Sequence, residues 1–359
     1  MKIRSTLTYD DVLLVPKYSD IRSRSDIDIS NSLDNNIRLR LPIIASPMDT
    51  VSGFEMASYL SKAGGLAVLH RYMSVADQAT AVTNLKQETG SVIAAAIGTG
   101  IDGRTRANIL ASVGTDVLCV DVAHGHHVAV REIIEYLRSD SRFDNIHIMA
   151  GNVATPEAVA ELATWGAHSV RIGIGGGSIC STRIQTGHGV PTLQSVMDCA
   201  STADNYGVKI IADGGIRNSG DIVKSFAAGA DFAMIGSILG GTEEAPGRII
   251  TMGGSKYKEY RGMASAEAQM EWRGRTASLE GVSSMVPYKG PVAPIVRQLE
   301  NGIRSGFSYS GARSFDQFTA AAEMIQQTPA GQMESSTHIK VRYGCCLLYT
   351  SPSPRDFQV

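Results

Sequence analysis

The sequence predicts a single (β/α)8 barrel, the TIM barrel, and two observations lead to this fold class. Eight short runs of β-branched and other aliphatic residues recur along the chain, and most of them start roughly 22 to 29 residues after the previous one. That interval holds one strand, one helix and two loops, the βα unit. Each run is continuously apolar instead of alternating, as parallel strands buried on both faces are. An open, doubly wound sheet is the alternative that this pattern leaves.

The segments between the predicted strands carry helical patterning. We expect helices over 53–60 and 156–162, the second with Thr155 as its N-cap and Pro156 at its first position. The eight predicted strands are 43–48, 65–70, 91–98, 117–123, 146–153, 169–174, 209–215 and 232–237.

Length and composition agree with one soluble enzyme domain. The chain has 359 residues, and a barrel of this type fills about 250 before insertions are counted. The formal net charge of −2 excludes the basic surface expected of a nucleic-acid-binding protein. The longest apolar runs are too short to span a bilayer, and the polar N-terminus shows no signal peptide. Five cysteines, an odd number, favour reduced thiols and a cytoplasmic protein.

Two insertions interrupt the regular spacing. The sixth strand starts about 40 residues before the seventh, and this gap contains the glycine-rich segment 173–189. After the last strand, a segment over about 257–290 is rich in Gly, Ser, Arg and Glu, the composition of a mobile flap. Loops that follow the strands of a barrel lie on its catalytic face. We therefore predict that the catalytic residues lie in these two segments.

Cys180 is the candidate nucleophile. It follows four glycines and a serine, with Thr182 two residues later. A backbone with so few Cβ atoms approaches a ligand closely, and polarised backbone groups favour a reactive thiolate. The alternative is a buried structural cysteine, which is the role predicted for Cys119 and Cys199.

A phosphate site is predicted at the ends of the last two strands. Asp213 precedes Gly214 and Gly215 at the end of the seventh strand, and Gly236 and Ser237 end the eighth. Barrels commonly bind phosphate with the loops after these two strands. Asp213 is placed to accept hydrogen bonds from a ribose, or else to cap the following turn. A nucleophilic thiol and a phosphate site on one face together indicate a nucleoside monophosphate.

These motifs resemble the inosine monophosphate dehydrogenase and guanosine monophosphate reductase family over residues 6–342. The resemblance implies a barrel, usually a homotetramer, in which the thiol attacks purine C2 and a nicotinamide nucleotide exchanges hydride at the same carbon. The segments that carry it are 7–16 (LTYDDVLLVP), 46–51 (SPMDTV), 151–153 (GNV), 175–182 (GGGSICST), 212–215 (ADGG), 236–237 (GS), 260–263 (YRGM) and 286–290 (VPYKG).

The resemblance assigns roles by matching position. It makes Cys180 the nucleophile and Thr182 its hydroxyl partner, and it implies a monovalent cation, K+, at the backbone carbonyls of Gly175, Gly177 and Cys180. The residues implied for the nucleotide, GMP or IMP, are Met48, Ser178, Asp213, Gly214, Gly215, Gly236, Ser237, Tyr260, Gly262 and Met263, and those for the cofactor are Asp121, Ala123 and Arg183.

Three features favour the reductase over the dehydrogenase. The chain runs from residue 90 directly into the third strand, without the regulatory CBS domain that dehydrogenases usually insert there. Residues 264–279 contain no Arg-Tyr pair, with which the dehydrogenase activates water. Segment 277–281 (ASLEG) resembles the reductase's Ser-Glu-Gly segment, whose glutamate, here Glu280, protonates the departing ammonia. Leu279 is inserted between Ser278 and Glu280, so this match is offset by one residue.

The predicted function is therefore that of a GMP reductase, which uses NADPH to convert GMP to IMP and ammonia. Segments 46–48 and 72–79 resemble bacterial dehydrogenases more closely, so an IMP dehydrogenase that lacks the CBS domain and uses NAD is the alternative. A purine-nucleotide-binding barrel without activity is a third, which the Cys180–Thr182 pair disfavours.

The end of the chain departs from the family. Residues 343–359 have no helical or strand periodicity and no counterpart in the family. We predict a catalytic domain over 1–342 and a tail that is artefactual or disordered, with a native terminus as the alternative.

Overall fold

The computed structural model describes residues 3–277 and 279–335, and these ranges contain fifteen strands and twelve α-helices. The strands are β1 Val12–Leu14, β2 Asn31–Ser32, β3 Arg38–Leu39, β4 Ile43–Ala45, β5 Leu66–Leu69, β6 Ala94–Ile97, β7 Val117–Asp121, β8 His147–Val153, β9 Ser169–Ile172, β10 Lys209–Asp213, β11 Phe232–Ile235, β12 Ile250–Met252, β13 Ser255–Arg261, β14 Ser283–Pro287 and β15 Met324–Gln326. The helices are α1 Phe54–Ala63, α2 Val75–Thr89, α3 Gly100–Ser112, α4 Val128–Arg138, α5 Pro156–Trp165, α6 Thr182–Thr186, α7 Thr192–Tyr206, α8 Ser219–Ala227, α9 Ala266–Arg273, α10 Ala293–Tyr309, α11 Phe315–Ala321 and α12 Pro329–Glu334.

Strands β4 to β11 form a closed parallel barrel, which confirms the predicted fold class. The barrel closes where β11 pairs with β4, with Ala233 opposite Ile43, so the alternative of an open sheet is wrong. All eight predicted strands are present, but most of them end earlier than predicted. The eighth ends at Ile235, because Gly236 and Ser237 already belong to the turn that follows.

Alternate side chains of the barrel strands belong to two separate apolar layers. Ile44, Val68 and Phe232 fill the barrel interior, where Leu39 of the β2–β3 hairpin joins them. Ile43, the neighbour of Ile44 on the same strand, packs in the layer between barrel and helices. Successive residues of a strand point to opposite faces, so both faces of these strands are buried. This double burial is the reason that the strand sequences are continuously apolar.

Helix α5 begins as the sequence predicts. The Thr155 hydroxyl accepts a hydrogen bond from the Ala158 amide at 3.3 Å, and Pro156 is the first helical residue. The cap satisfies one of the amides that the first turn of a helix leaves unpaired. Helix α1 begins at Phe54, one residue later than predicted, and ends at Ala63, after which Gly64 adopts a left-handed conformation with φ of 89°.

The predicted flap contains regular structure. Strands β12, β13 and β14 form an antiparallel sheet, and α9 lies between β13 and β14. Cys180 and Gly281 form an isolated antiparallel bridge, and the Val282 amide donates to the Ile179 carbonyl at 3.1 Å. The flap is therefore joined by backbone hydrogen bonds to the glycine-rich segment 173–189, which contains Cys180 and is called the cysteine loop below.

The remaining features concern the ends and connections of the chain. Residues 90–93 alone join α2 to β6. The described residues divide into two units between Gln326 and Gln327, and α12 belongs to the second. The predicted domain boundary at residue 342 and the predicted tail lie outside the described residues and stay predictions. Across the described ranges, no helix is both long and apolar enough to cross a membrane.

Candidate active site

A cavity of about 850 Å3 opens at the carboxyl ends of the barrel strands, the face on which TIM barrels place active sites. Arg183 is the one predicted site residue that does not line it, because its guanidinium donates to the Val190 carbonyl at 2.9 Å. The predicted residues that do line the cavity are Met48, Asp121, Ala123, Gly175, Gly177, Ser178, Cys180, Thr182, Asp213, Gly214, Gly215, Gly236, Ser237, Tyr260, Gly262, Met263 and Glu280.

A chain of hydrogen bonds links the Cys180 thiol to a carboxylate of the flap. The thiol donates to Thr182 Oγ1 at 3.2 Å, and that hydroxyl donates to Glu280 Oε2 at 2.7 Å. Cys180 is partly exposed, whereas Cys119 and Cys199 are buried, and burial raises the pKa of both buried thiols to about 12. Among the cysteines that the structure describes, Cys180 is thus the one that lines the cavity and is connected to an acid.

Backbone hydrogen bonds fix Glu280 beside the cysteine loop. The Ser181 amide donates to the Glu280 carbonyl at 2.9 Å, and the Glu280 amide donates to the Ala264 carbonyl at 3.2 Å. The inserted Leu279 is 39% exposed. The extra residue is therefore accommodated near the surface, and the carboxylate still reaches Thr182.

The backbones of the cysteine loop and of the loop after β10 are in contact with each other. This close approach requires glycine at the points of contact. A Cβ on Gly173 would lie 1.8 Å from the Asp213 carbonyl oxygen, and one on Gly214 would lie 3.1 Å from the Gly177 amide nitrogen. Gly214 also has a φ of 95°, in the region that favours glycine. Larger residues would separate the cysteine loop from Asp213.

Tyr260 lies beside the predicted phosphate loops. Its hydroxyl donates to Met48 Sδ at 4.0 Å, and burial raises the pKa of the phenol to about 12, so the group stays neutral. A Cβ on Gly236 would lie 3.0 Å from the phenol oxygen. The Ser237 and Ile238 amides form no hydrogen bond with any other residue in the described part of the chain. Unpaired amides at a strand end are suited to binding an anion.

A buried arginine joins Asp121, which is predicted to bind the cofactor, to Asp213, which is predicted to bind the ribose. Arg171 Nη1 donates to Asp121 Oδ1 at 2.6 Å, and Nη2 donates to Asp213 Oδ2 at 2.8 Å. Asn152 Nδ2 donates to the same oxygen of Asp213 at 2.9 Å. Burial opposes the positive charge of Arg171, but its anionic neighbours outweigh that cost and keep the pKa of the guanidinium above its ordinary value. Sequence reasoning missed Arg171, although a single charge within the apolar run 169–174 was a usable signal.

Residues with no predicted role line the cavity as well, among them Arg71, Tyr72 and Trp272. The Tyr72 and Trp272 rings lie 5.9 Å apart, and the Arg71 guanidinium lies 5.5 Å from the centre of the Tyr72 ring. The Tyr72 hydroxyl donates to the Met263 carbonyl at 2.8 Å. No motif pointed to these residues. The cavity thus extends from Cys180 to an aromatic wall that includes α9 of the flap.

The roles assigned to the individual site residues stay predictions, including those of the K+ ligands and of Arg183. The Gly177 carbonyl accepts the Cys180 amide at 3.1 Å, but nothing further bears on a K+ ion at the carbonyls of Gly175, Gly177 and Cys180. The cofactor role of Arg183 is equally untested. Ser278, part of the segment that resembles the reductase, lies outside the described residues.

The chain is similar in sequence and in structure to proteins of known family. Residues 6–338 match the family model described as "IMP dehydrogenase / GMP reductase domain". The chain is 32% identical to an inosine-5'-monophosphate dehydrogenase from Nitrosopumilus maritimus, over 94% of this chain and 99% of the relative. It is also 32% identical to a GMP reductase from Leishmania major, over 92% of this chain and 96% of the relative. Its structure is similar to that of a Cys→Ala variant of GMP reductase from Trypanosoma brucei in complex with guanosine 5'-monophosphate, with a TM-score of 0.89 and 31% identity over 94% of this chain and 99% of that one.

Proposed function

The chain belongs to the IMP dehydrogenase/GMP reductase family, and from this we propose that it is a GMP reductase. The proposed reaction removes the 2-amino group of GMP as ammonia and yields IMP, with NADPH as the reductant. The observation that carries the proposal is the hydrogen-bond chain from Cys180 through Thr182 to Glu280. It places an acid at the nucleophile, where a leaving amine has to be protonated.

The chain of hydrogen bonds provides both groups that deamination needs. Transfer of the thiol proton to Thr182, with the hydroxyl proton of Thr182 passing to Glu280, leaves a thiolate and a protonated carboxyl group. The thiolate forms a bond to purine C2, and Glu280 protonates the amino group, so the C2–N bond breaks and ammonia leaves. The purine is then held through a Cys180–C2 bond.

Reduction completes the proposed cycle. Bound NADPH supplies a hydride to C2. As the hydride adds, the C2–S bond breaks, IMP is released, and Cys180 leaves as a thiolate that takes up a proton from solution. Asp121 and Ala123 line the cavity next to the cysteine loop and would hold the nicotinamide end of the cofactor.

The flap sequence disfavours the competing hydrolysis. An IMP dehydrogenase must activate water to release its adduct as XMP, and the family's Arg-Tyr pair for this step is absent from residues 264–279.

The lack of the regulatory insertion is weaker evidence for the reductase. Alignments with the Nitrosopumilus dehydrogenase and the Leishmania reductase both extend over 474 positions, against 359 residues in this chain. Relatives with either name therefore carry additional residues, so their lack here does not separate the activities.

The experiment is an assay of the purified protein with two substrate pairs, GMP with NADPH and IMP with NAD. We expect NADPH oxidation that depends on GMP and releases ammonia, and no NADH formation from IMP. NADH formation from IMP without GMP-dependent NADPH oxidation would establish the dehydrogenase instead. Tight GMP binding with no turnover in either assay would indicate the inactive nucleotide-binding barrel.

The remaining proposals rest on the family resemblance. We propose a cytoplasmic homotetramer whose activity depends on K+. Sedimentation tests the oligomeric state, and replacement of K+ by Na+ in the assay tests the ion.

A further inference from the structure

We propose that Lys289 sets the affinity for the substrate's phosphate by holding the phosphate loop, residues 236–238, from behind. This inference rests on the proposed function, because it takes a nucleoside 5'-phosphate as the ligand of the loop. Lys289 follows β14 and is not among the residues that line the cavity. It is therefore a positioning residue that acts through the loop and does not touch the phosphate.

The Lys289 ammonium binds the carbonyl side of the loop. Nζ donates to the Ser237 carbonyl at 2.7 Å and to the Ile238 carbonyl at 3.0 Å. In a trans peptide the C=O and N–H groups point in opposite directions. The Ile238 amide shares a peptide unit with the Ser237 carbonyl, so it points away from Lys289. Neither this amide nor that of Ser237 donates a hydrogen bond to any described residue.

The phosphate loop, Gly236 to Ile238, carries no cationic side chain of its own. The described residues that line the cavity include Arg71, Arg171 and Arg273 but no lysine. Arg171 is already paired with two aspartates, and Arg71 lies against Tyr72. A phosphate monoester carries between one and two negative charges at neutral pH. Lys289 supplies a positive charge that is hydrogen-bonded directly to the loop.

The charge of Lys289 also lacks a carboxylate partner. Its ammonium contacts carbonyl oxygens, and no ion pair with an acid is formed within the described residues. Burial lowers the pKa of Lys289 to about 8. An anion bound to the loop would stabilise the charged form, and the charged form would in turn stabilise the bound anion.

Lys258 of β13 provides a matched control. It is buried, and its Nζ donates to the carbonyls of Thr242 at 3.1 Å, Glu243 at 3.3 Å and Ala245. The two lysines therefore bind backbone carbonyls of neighbouring segments in the same way. Only Lys289 binds the phosphate loop.

The test is calorimetric titration of the full-length protein with GMP and with guanosine, which lacks the phosphate. For Lys289→Met we expect the Kd for GMP to rise by about 10- to 100-fold, while the Kd for guanosine changes by less than about twofold. Lys258→Met should change both constants by the same factor or neither. Lys289→Gln, which keeps a donor but loses the charge, should weaken GMP selectively as well.

Two outcomes would overturn the inference. The first is an equal loss of affinity for GMP and guanosine in the Lys289 variants, which is what general damage to the fold produces. The second is unchanged GMP binding. If Lys289→Met does not fold, as judged by circular dichroism, the same two outcomes for Lys289→Gln decide the inference. Failure of the proposed function gives a different result, because wild-type protein would then show no GMP-dependent NADPH oxidation, whether or not Lys289 affects the binding of GMP.

Discussion

The barrel interior contains two polar layers that are only two residues apart along β9. The lower polar layer, at the amino ends of the strands, consists of Ser169, His147 and Asp34. The upper polar layer, at the carboxyl ends, consists of Arg171, Asp121 and Asp213. Ser169 and Arg171 both extend from β9, and a spacing of two residues places them on the same face of the strand. The same strand thus serves a closed network at one end and the cavity at the other.

The lower polar layer satisfies its own hydrogen bonds. His147 Nδ1 lies 2.7 Å from Asp34 Oδ2, and Nε2 lies 2.8 Å from Ser169 Oγ. Asp34 also accepts the amides of Asn36 and Ile37 at 2.8 and 2.9 Å. These hydrogen bonds, that of His147 above all, lower the pKa of Asp34 to about 2.

The upper polar layer leaves acceptors for a ligand. The side chains that donate to Asp213 all bind its Oδ2, and no hydrogen bond from the described residues reaches Oδ1. Both aspartates line the cavity. The lower layer has the residue types of a hydrolase triad, yet Ser169 has no exposed surface. Exposure to the cavity, more than residue type, therefore distinguishes the upper polar layer, which can bind a ligand, from the lower one, which is structural.

The largest expected difference between the two ends comes from Cys180, the proposed nucleophile. Cys180→Ala should lower turnover by at least about 10⁴-fold, because no other described group replaces the bond to C2. Stability should change by less than about 0.5 kcal/mol, since Cys180 is partly exposed. Ser169→Ala is the matched change in the lower layer, and it should keep turnover while lowering the unfolding temperature. Retained activity in Cys180→Ala would refute covalent catalysis at this residue.

Glu280→Gln should have the next largest effect. It keeps the shape of the side chain and a hydrogen-bond partner for Thr182 but removes the acid, so kcat with GMP should fall by about 10²- to 10⁴-fold. GMP affinity should stay within about twofold, because the carboxylate is assigned to proton transfer. Stopped-flow kinetics that follow ammonia release and hydride transfer separately show which of the two steps is slowed in the variant. A change in the Kd for GMP with kcat unchanged would assign Glu280 to binding instead.

His147→Ala tests the lower layer. The side chain is buried, and its removal leaves Asp34 and Ser169 without their partner, so we expect a loss of about 2 to 4 kcal/mol in the free energy of unfolding. Urea denaturation measures it. The KM for GMP and kcat should be unchanged at temperatures where the variant is folded. A selective loss of kcat at full stability would show that the lower layer is coupled to catalysis.

Sequence reasoning recovered the features that follow from local pattern. Continuous apolar runs predicted the barrel. Parallel topology brings strand ends such as Asp121, Asp213 and Gly236 to one face, so it was predictable that they line one cavity. The pairing of Arg171 with carboxylates 50 and 42 residues away was not, because it depends on which strands become neighbours in the barrel. The contact of Glu280 with Thr182 depends on backbone pairing between flap and cysteine loop, which the one-residue offset in the motif concealed.

The smallest expected effect is the acid dependence that Asp34 gives to stability. Its pKa is about 2 in the folded protein and near 3.8 when the carboxyl is unperturbed. A carboxyl group whose pKa is lowered by folding contributes stability above its unfolded pKa and loses it as the pH falls through the folded value. The contribution should therefore be complete above about pH 5 and disappear between about pH 4 and pH 2.

Asp34→Asn isolates this contribution from those of the other acids. In urea denaturation at pH 6, 4 and 3, the difference in unfolding free energy between wild type and Asp34→Asn should shrink as the pH falls. Asp144→Asn, at an exposed position outside both layers, is the control variant. A difference that stays constant from pH 6 to pH 3 would mean that the folded and unfolded states bind the Asp34 proton equally. The lower layer would then stabilise the barrel through packing and neutral hydrogen bonds alone.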